Sequence, residues 1–473
     1  MVRRSVAWAC LVCAGAAFAL VAASHAAAEN WPQWRGPASN GSSQTADPPV
    51  SWSEESNIRW KVELPGRGSS TPIVWGDRLF VLAARPTDRQ AEPAGDVEAS
   101  ESAAAAAGDP QPGPGRGRGG AQRGGRGGGG GRFGSSTPTQ YHQFLVIAYN
   151  RHTGEQLWER VATEQIPHEA GHGTNTFASS SPITDGKHLW VNFGSRGVYC
   201  FDLDGNQLWH RDLGKMQTRS QFGEASSPAL QNGKLIIPWD HEGQSQLFAL
   251  DAHTGEILWQ VQRDEPTTWA TPLITQWEGN WQVVTNGKRV RSYHLDTGEL
   301  LWEAGGQVDN PIPTPIRFQD FVIAMTGYRG NAIHAIKLDA QGDVTGTDAV
   351  LWKRDDAAPY VASPVLYDGR LYFTKSRDGI LSSVDAETGE VIFAQKRLPQ
   401  ISSIYASPVA AKDRVYITGR EGATVVLRHG PEFEVLAVNQ LDDVLDASPV
   451  MIDDLLYLRG ERFLYCIGSS PAE

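Results

Sequence analysis

The 473-residue chain is poor in the residues that staple or anchor a protein. It has only four Cys and four Met. Cys10 and Cys13 lie in an N-terminal apolar run, so Cys200 and Cys466 alone remain for the rest of the chain, too few for a disulfide scaffold. Beyond that run no apolar stretch approaches the roughly 18 residues of a membrane-spanning helix. Positive charge is also scarce, with a formal net charge of −12 that falls two further once Arg3 and Arg4 are removed. A field of that sign repels phosphates and argues against a specific nucleic-acid partner. Hydrophobic residues make up 40% and charged residues 20%, which excludes a disordered chain. What is abundant is Gly and Trp, 50 and 16 residues, as expected of short strands joined by tight turns.

The first segment reads as an address. Arg3 and Arg4 precede an apolar run from Val6 to Ala23, and Ala26-Ala27-Ala28 stands before Glu29. Charged start, apolar middle and small residues before a cut describe a secretory signal peptide over residues 1–28. The residues around Cys10 and Cys13 do not suit lipid attachment. The mature protein is therefore expected in the periplasm or outside the cell.

The main signal is a repeat. A tripeptide recurs as Ser70-Thr71-Pro72, Ser180-Ser181-Pro182, Ser226-Ser227-Pro228, Ala270-Thr271-Pro272, Pro313-Thr314-Pro315, Ala362-Ser363-Pro364, Ala406-Ser407-Pro408 and Ala447-Ser448-Pro449. From Pro182 onward the prolines are 46, 44, 43, 49, 44 and 41 residues apart. A period of that size means a solenoid, propeller or array. Each unit carries short apolar runs separated by turn residues, and several close on a further signature. The clearest copy runs from Ala249 to Trp259, with Asp251, Thr254-Gly255-Glu256 and the closing Trp. Each unit reads as four short strands, so eight units predict an all-β, eight-bladed propeller over residues 58–467. The eighth unit lacks its last strand. Ile58-Arg59-Trp60-Lys61-Val62 supplies it from the N-terminal side, closing the ring and removing an open edge. Residues 29–57 are then an N-terminal arm and 468–473 a tail.

The Ala-x-Asp-x-x-Thr-Gly-x-x-x-Trp pattern is the tryptophan-docking repeat, and the chain resembles the pyrroloquinoline-quinone-type propeller family. The opening Trp31-Pro32-Gln33-Trp34-Arg35-Gly36-Pro37 is similar to that of exported quinone-binding-like members. The family includes both quinoprotein alcohol dehydrogenases and a non-catalytic propeller of outer-membrane assembly, so the resemblance implies a fold and leaves the chemistry open. The adjacent Cys pair of the dehydrogenases and a haem-attachment motif are absent. Cys200 and Cys466 occupy equivalent strand positions in non-adjacent blades, which predicts two buried, unpaired thiols.

Propeller geometry sends two loop sets to one funnel-shaped face: the loops entering each inner strand and the turns between second and third strands. The loop entering blade two reads His168-Glu169-Ala170-Gly171-His172, a literal zinc-protease motif. Pro167, Gly171 and Gly173 exclude the helix that such a site needs, leaving a polar loop. With Glu224, Asp240, His241 and Glu242 it brings imidazoles and carboxylates to one sector. Glu169, His172, Glu224, Asp240 and Glu242 are candidate ligands for a divalent ion, set against ordinary hydrogen-bonded loop structure. His168 and His241 are candidate ligand-binding residues. A second pattern is a ring of cations, Arg196, Arg329, Arg377 and Arg420, joined by Lys288, Arg289, Arg459 and Arg462. It suits an anionic small molecule or acidic glycan, set against solvated turns or interblade ion pairs.

Between the second and third strands of blade one, residues 84–140 form an insertion whose stretch from Gly115 to Gly134 is almost wholly Gly and Arg and predicts disorder. The expected function is binding of a ligand or partner at the funnel face. One rival is a quinoprotein dehydrogenase acting on alcohols or sugars with pyrroloquinoline quinone and Ca²⁺, Asp240 as base and Glu224 on the metal. Another is an envelope-protein assembly scaffold.

Overall fold

A computed structural model describes residues 30–92 and 138–469. The expected signal peptide, the Gly/Arg tract and most of the tail lie outside the described residues. The rest is all-β, with two three-residue 3₁₀ turns and eight sheets of successive antiparallel strands. These are the eight blades. The last consists of Val450–Ile452, Leu455–Arg459 and Phe463–Ile467 plus the N-terminal strand Ile58–Glu63. Trp60 pairs with Cys466 and Val62 with Leu464, which is the expected closure.

The repeat has a packing reason. Trp60 Nε1 donates to Arg151 O of blade one, Trp158 Nε1 to Leu203 O of blade two and Trp259 Nε1 to Leu295 O of blade four, each at 3.0 Å. Each indole lies on the Thr-Gly or equivalent turn of the next blade. Gly255 has φ +72, and a Cβ there would stand 2.6 Å from Trp209, so both the turn and the indole above it require glycine. Blade four departs from this. Trp302 is fully buried and bonded to Gln282 instead. The long connection of blade five lays Gly342–Asp343 parallel to Trp302 and Glu303, covering the outer edge of blade four.

The blade-one hairpin is longer than expected. Its strands run Arg78–Gln90 and Gln140–Asn150, and Ala84 pairs with Phe144 and Arg85 with Gln143. Residues 84–90 therefore belong to the sheet. Arg85 is held by Gln143 and Glu159, and the Arg89 guanidinium lies 3.8 Å from the Tyr141 ring, polar pairings that extend the hairpin beyond its apolar core. Cys200 and Cys466 are buried and unpaired, with burial pushing both thiols up to about 12.

Candidate functional site

The recurring Ser/Thr-Pro tripeptides meet at the axis. The backbone N–H of the central residue in one blade donates to the hydroxyl of the next, as from Thr71 to Ser181 at 2.9 Å and from Ser407 to Ser448 at 3.0 Å. The Ser448 N–H closes the circuit onto Thr71 at 3.1 Å. This belt explains why a small hydroxylated residue precedes each proline. Among the described residues it is open only between blades four and five, where the buried Thr314 hydroxyl has no partner.

The N-terminal arm crosses the channel along the inner strands. Trp31 pairs with Val74 of blade one. On the far side Asn40 O accepts from Leu366 N of blade six, and Gly41 O from Ala410 N of blade seven. Trp34 Nε1 bonds Ser448 Oγ at 3.2 Å and forms part of the cavity lining beside the belt. Arg35 is buried with no carboxylate in ion-pair reach among the described residues, and donates to Pro364 O at 2.7 Å and Pro408 O at 3.1 Å. Burial pushes its pKa down to about 9. On the funnel side a cavity of about 860 Å³ opens, within the range of ligand sites.

The carboxylates and imidazoles expected at the metal site are engaged locally. Asp240 is bound in both oxygens by Arg263, at 2.7 and 3.1 Å, with side chains 2% and 1% exposed, and Thr268 donates to it at 2.8 Å. Both Asp240 oxygens are thus already engaged by donors. Glu242 accepts from Thr267 Oγ1 at 2.9 Å, Glu169 from the Thr218 hydroxyl and amide, and Glu224 from the Ser195 amide at 2.7 Å and the Ser195 hydroxyl. His241 Nδ1 accepts from Gln217 N at 3.1 Å, and its other nitrogen faces Gln244 O. Among the described residues no group of three or more His, Cys, Asp or Glu could hold a metal ion. His168, Glu169, Glu224, Asp240 and Arg196 instead surround a separate space of about 60 Å³, room for little more than water. Burial pushes the Glu224 carboxyl up to about 7 against its Ser195 bonds, and nearby Glu169 raises it further.

The ring of cations divides. Arg459 is 1% exposed and points inward to Ser70 and Leu82 O, because it ends a buried strand. Arg289 pairs with Glu303 and Asp343, Arg462 bonds Asp442, and Lys288 uses its backbone to hold Glu265. Arg420 forms a two-point pair with Asp446. Arg329 and Arg377 line the large cavity with no carboxylate within ion-pair distance among the described residues. Arg219 joins them and is likewise without one, donating to Asn310 at 2.8 Å. Nothing in its sequence context marks it. Arg329, Ser376, Asn310 and Ser220 all take left-handed φ between 53° and 55° around this cavity, a conformation non-glycine residues hold at a cost. Tyr328 and Tyr360 stack at 4.8 Å, and Arg377 donates to the Tyr405 hydroxyl at 3.1 Å. His172 also lines the cavity, bonded to Thr174. Burial lowers its pKa, as do Arg377 and Arg420.

A family model described as outer membrane protein assembly factor BamB matches residues 142–395 and 326–430. The outer membrane protein assembly factor BamB of Yersinia pestis is 23% identical over 329 residues, covering 59% of this chain and 78% of that protein. Among solved structures, BamB from Moraxella catarrhalis is similar with TM-score 0.51 and 16% identity, over 69% of this chain and 93% of that one. The quinohemoprotein alcohol dehydrogenase from Comamonas testosteroni gives TM-score 0.59 and 11% identity, over 94% and 81%. At such identities the structural likenesses establish the fold. The family match extends over more than half the sequence, and with the docked tryptophans and eight closed blades it places this chain in the BamB family of quinone-type β-propellers.

Proposed function

We propose that the protein binds a multiply charged anion in the funnel and does not transform it. The observation that carries this is the grouping of Arg219, Arg329 and Arg377, unpaired by carboxylates, in one cavity of a chain with net charge −12. Guanidiniums lining one concave site recognise carboxylate, sulfate or phosphate through paired N–H donors. Asp446, the one carboxylate on the cavity wall among the described residues, is already held by Arg420. Such a binder would work in the periplasm or outside the cell, as the N-terminal segment suggests. Calorimetric titration with citrate tests the reading. Binding should weaken about tenfold in Arg329→Gly and again in Arg377→Ala, the scale of one charge-assisted contact. A folded protein that ignores citrate, or variants that bind it unchanged, would contradict it.

Pyrroloquinoline quinone with Ca²⁺ does not fit these residues. The candidate base Asp240 is held by Arg263, and Glu169, Glu224 and Glu242 are bonded by Thr218, Ser195 and Thr267 of neighbouring loops. A scaffold role among envelope proteins has a separate support in the family match and in the apolar residues exposed along outer strands, Leu157, Leu208, Leu258 and Leu351. Edge strands of that kind can accept an added strand from a partner. Co-purification from envelope extracts tests this, with a strand-blocking proline at Leu258 expected to abolish the association.

A further inference from the structure

We infer that the anion taken by the funnel is an acidic oligosaccharide, a chain of hydroxylated rings bearing carboxylate or sulfate groups. This rests on the proposed anion site and names its ligand class. Three features of the cavity point the same way. The first is charge: the three unpaired guanidiniums stand on separate loops, Arg219 in the loop entering blade three and Arg329 and Arg377 in the turns of blades five and six. Charges distributed in this way match acidic groups repeated along a chain better than one compact anion.

The second is the belt. Thr71, Ser181, Ser227, Thr271 and Ser448 line the cavity, and in each the hydroxyl oxygen accepts a backbone N–H from the preceding blade. Among the described residues none of these five hydroxyls donates to a protein acceptor, so their protons are available to a ligand at this wall. Ligand hydroxyls and carboxylate oxygens can both accept from such a row, whereas an apolar molecule leaves it unsatisfied.

The third is the arrangement of the aromatics. Tyr328 and Tyr360 stack on one another with centroids 4.8 Å apart and planes inclined by 29°. No third ring can enter between them, so this pair is not a slot for a flat aromatic acid. The pair does offer an amphipathic tyrosine surface on which the C–H face of a sugar ring can lie. The Arg329 guanidinium lies over the Tyr328 ring, 5.2 Å from its centroid, so charge recognition and the tyrosine pair meet at one place, with the outer face of Tyr360 as the platform. The left-handed backbone of Arg329 holds the side chain there at a conformational cost that glycine would not incur. The volume of about 860 Å³ accommodates more than one sugar unit.

The test is calorimetric titration of the full chain with trigalacturonate, maltotriose, citrate and benzene-1,3,5-tricarboxylate. Trigalacturonate should bind at least about tenfold tighter than citrate, and maltotriose and benzene tricarboxylate should bind more weakly than citrate. Arg329→Gly, which removes the guanidinium and relieves the backbone, and Tyr328→Leu, which breaks the tyrosine pair, should each weaken trigalacturonate about tenfold. Tyr328→Leu should weaken trigalacturonate several-fold more than it weakens citrate, a split that a folding defect would not produce. Citrate binding with trigalacturonate no tighter, or benzene tricarboxylate binding best, overturns the carbohydrate assignment and leaves the anion site standing. Loss of all binding in a protein that melts cooperatively overturns both.

Discussion

Two sectors of the funnel face carry ionisable residues at the same structural level, and they differ in what those residues touch. In blades two to four every carboxylate named from the loops has a local partner: Asp240 with Arg263, Glu242 with Thr267, Glu169 with Thr218 and Glu224 with Ser195. In blades five and six Arg329 and Arg377 face an open cavity with no opposite charge in ion-pair reach among the described residues. The first sector is mortar between blades, where each loop caps the next. The second is surface held ready for something else. A charged residue in a funnel is thus informative only once its partner is known: the carboxylates of the first sector are bonded within the fold, whereas the exposed Arg329 and Arg377 stand open to the cavity.

The comparison can be broken by substitution. The largest expected effect is Asp240→Ala, which strands Arg263 as a buried, uncompensated cation and should lower stability by about 3–5 kcal/mol. Denaturant unfolding checks it, and a loss under about 1 kcal/mol would place Asp240 in the unpaired class. Arg329→Gly and Arg377→Ala should show the reverse pattern, stability within about 0.5 kcal/mol of the parent and citrate binding reduced about tenfold. Glu224 sharpens the contrast through pH. In the folded chain burial lifts its carboxyl from an ordinary 4.5 to about 7. The stability linked to that proton is therefore full below about 4.5 and lost as pH rises through about 7. Glu224→Gln keeps an acceptor for Ser195 and should flatten part of that loss in thermal melts run across the same window. The smallest effect concerns the axial belt. Ser407→Ala removes a belt acceptor and should cost about 1 kcal/mol, whereas Thr314→Val, at the open link, should be neutral or slightly stabilising.

Periodicity carries most of the fold. The tripeptide spacing, the docking motif and the missing eighth strand are local patterns repeated many times, and Trp60 opposite Cys466 follows from them. The site is less legible because pairing is not local. Arg263 ends an outer strand, and no spacing rule links it to Asp240 across the blade. Arg459 stands near a turn as the other cations of the ring do, yet strand alternation turns it inward to blade one. Arg219 is one arginine in a loop without motif, and only the folding of that loop over blade five's Asn310 brings it to the cavity. The arm's Trp-Arg pair is visible as a family signature, but its position across the channel depends on hydrogen bonds to blades six to eight that lie hundreds of residues later.

The central claim is that the unpaired guanidiniums of the funnel form an anion site while the carboxylate sector is structural. Crystals soaked in selenate test it most directly, because selenium scatters anomalously and marks each bound anion. The account predicts a funnel peak within hydrogen-bond reach of Arg329 and Arg377, lost in the Arg329→Gly, Arg377→Ala double variant, with no peak beside Arg263. A funnel without selenate, or a peak that persists in the double variant, would contradict it.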